Sequence, residues 1–201
     1  MAEATEVGEG YRDAILPNES WVDRHFERCD FTEADLRGLR TQGCTFTDCD
    51  FGKADLGDSR HASSAFRTCT FDRTVLAGSS WHGCSLLGSS FVDCRFRPIE
   101  IVDTELTLVS VGAADLRKTT LSGLRLREAN LTSADLREAD LRSSDLTGAR
   151  LSETRLDGAD LRGARLDANG LTQASLAGTL VDVDTALAFA AAHGLRVHFG
   201  T

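Results

Sequence analysis

The 201-residue chain contains no apolar run approaching the roughly 20 residues that a helix needs to cross a bilayer, which excludes a membrane-spanning helix. Its opening stretch, Met1–Glu19, is acidic and polar and lacks the apolar core of a signal peptide, so a cytoplasmic location is expected, with no membrane association. There is no Gly-rich phosphate loop, no GxSxG elbow and no HExxH pair. His25, His61, His82, His193 and His198 stand in no recognisable nucleophile or metal motif. Six cysteines are present but no CxxC pair, which removes the usual zinc spacing. Positive charge is in deficit as well: the net charge is −9, which argues against direct contact with nucleic acid. No catalytic, cofactor-binding or metal-ligating residue is therefore nominated, and the protein is expected not to be an enzyme.

What the chain does have is a period of five. From Trp21 through Phe26, Phe31 and Leu36 to Leu176 and Val181, every fifth residue is large and apolar, and only Thr41 and His61 interrupt the series. Residues five apart on an α-helix are rotated by roughly 140°, so such a series would bury no face of a helix. Two residues before the apolar position stand small ones: Cys29, Ala34, Cys44, Cys49, Ala54, Ser64, Cys69, and later Ala114, Ala129, Ala134, Ala139 and Ala159. A spacing of two is the strand period, so the small and the large residue both point inward and three outward residues separate successive pairs. A fixed short repeat over most of a chain specifies a solenoid. Two residues after the apolar position come ten glycines, from Gly38 to Gly178, where a type II turn needs positive φ. All six cysteines occupy the small inward position and read as buried structural thiols, neither metal ligands nor disulfide partners. Two readings of the Thr41/His61 column are open, a local ligand site and a distorted face whose side chains turn outward. The second is expected, because a lone histidine is rarely a ligand.

The A(D/N)LXX signature, as in Ala134-Asp135-Leu136 and Ala159-Asp160-Leu161, resembles the pentapeptide-repeat proteins over residues 21–181. That resemblance implies an all-β, right-handed quadrilateral β-helix with four units per coil. Eight coils stacked roughly 4.8 Å apart make a rod about 38 Å long. The stretches Ser64-Ala65-Phe66-Arg67 and Leu87-Gly88-Ser89, and the chain after Val181, are similar to the MfpA/Qnr-type DNA-mimicking, gyrase-binding fluoroquinolone-resistance group. DNA gyrase as partner, modulation of its activity, and protection from fluoroquinolones are what that similarity implies. The alternative is a structural interaction scaffold with an unrelated protein partner.

Acidic residues recur beside the apolar position and stack twenty apart, as rows of carboxylates on a rod roughly 20–25 Å wide, comparable with duplex DNA. Asp115, Asp135, Glu138, Asp140, Asp145 and Asp160 are the candidate partner contacts. Residues 1–20 are expected to be a partly disordered lead-in, 21–181 the β-helix, and 182–201 a helix and tail. In that last segment Asp184 is expected to cap a helix over Thr185–His193, with Gly194 at its C′ position. Leu187, Phe189, Ala190, Leu195, Val197 and Phe199 are too many apolar groups for a free tail. They read either as a monomer cap or, as the resemblance implies, as the interface of a homodimer.

Overall fold

The computed structural model describes residues 5–198. The chain winds into a four-sided parallel β-helix of about eight turns, closed by one short C-terminal helix. Every strand partner lies twenty residues away in the chain: Trp21 pairs with Thr41, Phe46 with Phe66, and Leu146 with Leu166. The inward positions are the core. Phe31, Phe51, Phe71 and Leu136 are 0% exposed, and Ala34, Ala129 and Ala159 lie buried between them.

Strand-like sides are longest in the N-terminal half. One side is a five-stranded sheet built from Ser20–Val22, Arg40–Gln42, Arg60–Ala62, Ser80–His82 and Glu100–Val102. A second side pairs Glu6–Val7, His25–Glu27, Thr45–Thr47 and Ala65–Arg67. The β-helix thus begins before Trp21. Residues 6–18, expected as a loose lead-in, hydrogen-bond to the coil above through Tyr11 N–H to Asp30 O at 2.6 Å and Leu16 N–H to Asp35 O at 2.8 Å. Tyr11 stacks on Phe31 with ring centroids 4.7 Å apart. The register runs on downward through Leu16 and Tyr11, which pack against the core with Ala14, and fails only at Glu6.

Positive φ recurs at the corners as expected, but glycine is not required for it. Asp23, Glu33, Lys53, Glu138 and Ser143 also stand there with φ between 52° and 62°. The left-handed region costs a non-glycine residue roughly 1–2 kcal/mol, so stacking against neighbouring coils imposes the corner.

The corners come in two forms. At a tight corner the inward residue's carbonyl accepts the N–H three residues on, as in Ala139 N–H to Leu136 O at 3.0 Å. At the wide corners that bond is absent, and all six cysteines sit at wide corners. Each thiol contacts two carbonyls, one two residues back and one in the coil below. Cys49 Sγ lies 3.4 Å from Thr47 O and 3.7 Å from Phe26 O. The Thr104 hydroxyl likewise reaches Trp81 O and Val102 O, the Ser64 hydroxyl reaches Ala62 O alone, and both accept the N–H groups of Cys84 and Cys44 in the coil below. All six cysteines are free, five of them fully buried.

The expected outward turn of the Thr41/His61 column is corrected by the structure: both side chains point inward, at 2% and 1% exposure. His61 Nδ1 meets Thr41 Oγ1 at 2.9 Å, and Nε2 meets Ser59 Oγ at 3.0 Å. Thr41 also donates to Ser64 Oγ at 3.0 Å. Burial pushes the His61 pKa down to about 3, so the ring is neutral and both nitrogens are satisfied. It then fits the column as a flat ring against Trp81, centroids 4.0 Å apart. The strand period holds the side chain inside, and a closed hydrogen-bond network removes the reason to expel it.

The helix α1 spans Val183–Ala192, two residues earlier at its start than expected, and its N-cap is Asp182, so Asp184 lies in the first turn. The Asp182 carboxylate caps no helical N–H and accepts from Gly163 N–H instead. Gly194 holds φ 76° at C′, and the Gly194 and Leu195 N–H groups close a Schellman pair onto Ala191 O and Ala190 O, each at 2.9 Å. No helix among the described residues is long and apolar enough to cross a membrane.

Candidate interaction surface

The candidate carboxylates owe their position to the strand period: an aspartate just before the inward leucine and a residue just after it share the outward face. In four of the candidate units, as also at Asp35 and Arg37, the second residue is arginine, and the two side chains form a fork. Arg117 Nε and Nη2 lie 2.8 and 2.7 Å from the two oxygens of Asp115. Arg137 holds Asp135 at 2.8 and 2.7 Å, Arg142 holds Asp140 at 2.9 and 2.7 Å, and Arg162 holds Asp160 at 2.9 and 2.6 Å. The arginine's own N–H also bonds the aspartate Oδ1, at 3.1 Å in Asp140 and Asp160. These bonds lower the pKa of Asp115, Asp135 and Asp140 below the usual carboxylate range, and that of Asp160 to about 2.

The stacking expected of these rows is present: Asp115 pairs in register with Asp135, and Asp140 with Asp160. The six candidates do not form one patch. The two rows lie on adjacent sides, Glu138 stands at the corner between them with Lys118 Nζ at 3.3 Å, and Asp145 lies on a third side. Asp145 is 6% exposed. Thr147 Oγ1 donates to it at 2.6 Å, lowering its pKa, and Arg165 stands 3.3 Å away. Every candidate carboxylate therefore carries its own cation.

Sequence reasoning passed over a second acidic group. Asp48, Asp50, Asp55 and Asp58 form no salt bridge among the described residues, while Asp30 and Asp35 directly below Asp50 and Asp55 do. The signal is in the sequence: where arginine follows at Arg37, Arg117 and Arg137, glycine follows at Gly52 and Gly57. Asp50 and Asp55 then accept only the backbone N–H groups of Gly52 and Gly57, at 2.8 and 2.9 Å.

The C-terminal candidates also divide. Phe189 packs against the core of its own coil end and meets the His193 ring at a 50° tilt, centroids 4.2 Å apart. Leu187 and Ala190 are half-buried, whereas Leu195 is 63% and Val197 48% exposed. Phe199 lies outside the described residues. Leu180 and Val183 add to the exposed apolar surface at this end.

Known structures place this architecture. The chain superposes on full-length QnrB1, a plasmid-mediated fluoroquinolone resistance protein, with a TM-score of 0.82 over 95% of this chain and 97% of that one, at 23% identity. Two trypsin-treated variants of QnrB1 match at a TM-score of 0.65, with 24% and 25% identity, over 96% of this chain and 97% of theirs. No curated protein matches by sequence. The model of the pentapeptide repeats matches in eight copies, over residues 25–60, 112–148 and 144–180. With more than half the chain matched and the coil geometry in agreement, the chain belongs to the pentapeptide-repeat family.

Proposed function

We propose that this protein is a non-catalytic DNA mimic that binds DNA gyrase, modulates its activity and protects it from fluoroquinolones, acting in the cytoplasm as a homodimer joined through residues 182–201. The observation that carries this reading is a four-sided rod bearing in-register rows of carboxylates, whose shape follows a fluoroquinolone resistance protein along nearly its whole length. The proposed contacts are Asp115, Asp135, Glu138, Asp140, Asp145 and Asp160, near the centre of such a dimer. The dimer contacts are Leu187, Phe189, Ala190, Leu195, Val197 and Phe199, with Phe189 tying the helix to its own coil. Asp48, Asp50, Asp55 and Asp58 extend the acidic surface with carboxylates that no arginine offsets, and these steer a basic surface more strongly per residue.

Supercoiling by purified gyrase tests the proposal. Inhibition, with reduced drug-stabilised cleavage, is expected. Absence of binding, inhibition and drug protection removes it. Light scattering is expected to give twice the chain mass, and a monomer at micromolar concentration sinks the dimer. The forked arginines favour a second reading, an interaction scaffold for an unrelated protein, because they cancel much of the charge that duplex mimicry needs.

A further inference from the structure

The five-stranded side ends at Glu100–Val102, in the middle of the rod. No sixth strand continues it. Apart from the last coil, where the 3-10 turn Ala168–Gln173 replaces the ladder above Arg150, every other pair of coils among the described residues bonds on all four sides. Between Arg95–Ile101 and Asp115–Thr120 no backbone hydrogen bond is made among the described residues, and neither Arg95 with Asp115 nor Glu100 with Thr120 forms a bridge. The count of five never slips in the sequence, yet the ladder slips here: Gly78 N–H reaches Pro98 O, twenty residues on, where Gly38 N–H reaches Gly57 O, nineteen on. Pro98 has no N–H to give to the coil above.

The break opens a cleft of about 650 Å³ across a corner of the rod. Its floor is apolar. Ile101 is only partly buried, although Trp81 below it and Leu121 above it are 1% and 3% exposed, and Ile99 and the 38%-exposed Val102 flank it. Its rim is cationic, from Arg97, Arg117 and Lys118. Arg97 and Arg117 share Asp115, at 3.4 and 2.7 Å, and Lys118 meets Glu138, so the cations are held in place. Glu100, beside His82 at 3.4 Å, is the one acid lining the cleft. Below it on the same face, Arg40 and Arg60 are register partners and form no salt bridge among the described residues. The open strand edge of this acidic protein is thus bordered by cations.

We propose that the edge of Glu100–Val102 docks an extended acidic segment of a partner protein, which adds as a strand and closes the interrupted ladder. An edge with unpaired N–H and C=O groups supplies affinity through the main chain, and the alternation of side chains supplies specificity. Apolar residues of the segment point in towards Ile99 and Ile101, and acidic ones point out towards Arg97, Arg117 and Lys118. This surface adjoins the carboxylate rows through Asp115 and Glu138, which pair with its rim cations, but the strand edge itself is not among the proposed gyrase contacts, so peptide docking is tested without gyrase.

The probe is a blocked hexapeptide of alternating glutamate and valine, titrated into the full chain and followed by amide chemical shifts. Shifts confined to residues 96–102 and 115–120, with affinity that weakens as salt is added, are the expected result. Arg97→Glu combined with Lys118→Glu is expected to weaken binding by about tenfold or more. A glutamine–valine peptide against the wild-type chain makes the same comparison without altering the protein. No shifts at millimolar peptide, shifts centred elsewhere, equal binding of a lysine–valine peptide, or equal binding of oligothymidylate each overturn the proposal.

Discussion

The halves of this rod on either side of the break share one repeat and solve it differently. Below it, three-residue strands enclose columns of stacked rings: Phe26, Phe46 and Phe66 lie 4.8 and 4.4 Å apart, and Phe31, Phe51, Phe71 and Phe91 lie 4.9, 5.0 and 4.4 Å apart. Above it, leucines fill nearly all the same positions, the coils are held by single bridges and one two-residue strand pair, and every corner from Leu106 to Leu161 is tight. The polar inward residues that serve wide corners, such as Cys49, Ser64 and Thr104, belong to the first half, and the arginine forks are concentrated in the second. The comparison teaches that the five-residue period fixes which way side chains face, while the small inward residue accompanies one corner geometry or the other.

The largest way to break the symmetry between the halves is to empty one core position in each. Phe46→Ala is expected to cost about 3–5 kcal/mol and Leu136→Ala about 2–5 kcal/mol, with the phenylalanine at the upper end because it removes two stacked contacts. Denaturant unfolding of both variants checks the order. A smaller difference appears with pH. The folded pKa of His61 lies below its unfolded value, so the unfolded state binds the extra proton. Its contribution is fully present above pH 6.5 and is lost as the pH falls towards about 3. The slope is about 1.4 kcal/mol per pH unit, or about 3 kcal/mol between pH 6.5 and 4. A His61→Phe variant should unfold with a much flatter pH dependence over that window.

Ser64→Ala is expected to cost about 1–3 kcal/mol, because it strands the buried N–H of Cys44 and one partner of Thr41. Ser144→Ala, at a tight corner where the hydroxyl bonds only Leu141 O, should cost less in the same assay. The smallest effect on stability, and the most informative for function, is to transplant the forks. Gly52→Arg with Gly57→Arg supplies the arginine that Asp50 and Asp55 lack. The new Cβ atoms would meet the flexible carboxylates at 3.1 and 3.0 Å, so the melting temperature should move little. Gyrase inhibition should weaken if free carboxylates carry the binding. The reverse change, Arg137→Gln with Arg142→Gln, should strengthen it. Unchanged inhibition in both would remove charge mimicry from the mechanism.

Much of the fold was legible because the strand period and the corner together make five, and twenty residues return the chain to the same side. The register, the inward cysteines and the stacked carboxylates all follow from counting. The polar network of Thr41, Ser59, His61 and Ser64 was not legible, because its members lie up to 23 residues apart and only stacking brings them within 3.0 Å. The carboxylate candidates were found by position, but their neutralisation depends on a rotamer that lays each arginine back over its aspartate. The opening beside Pro98 escaped for a related reason. Residue spacing survives there while hydrogen bonds do not, and a sequence records only the spacing.

The sequence by itself thus determined which face of each residue turns inward and which residues lie above one another, since both depend on a fixed period. Only the tertiary structure decided which corners close with their own hydrogen bonds, which carboxylates stay free, and where the ladder opens. Those outcomes depend on angstrom-scale distances between successive coils, and the period is the same whether a coil sits on its neighbour or stands off from it.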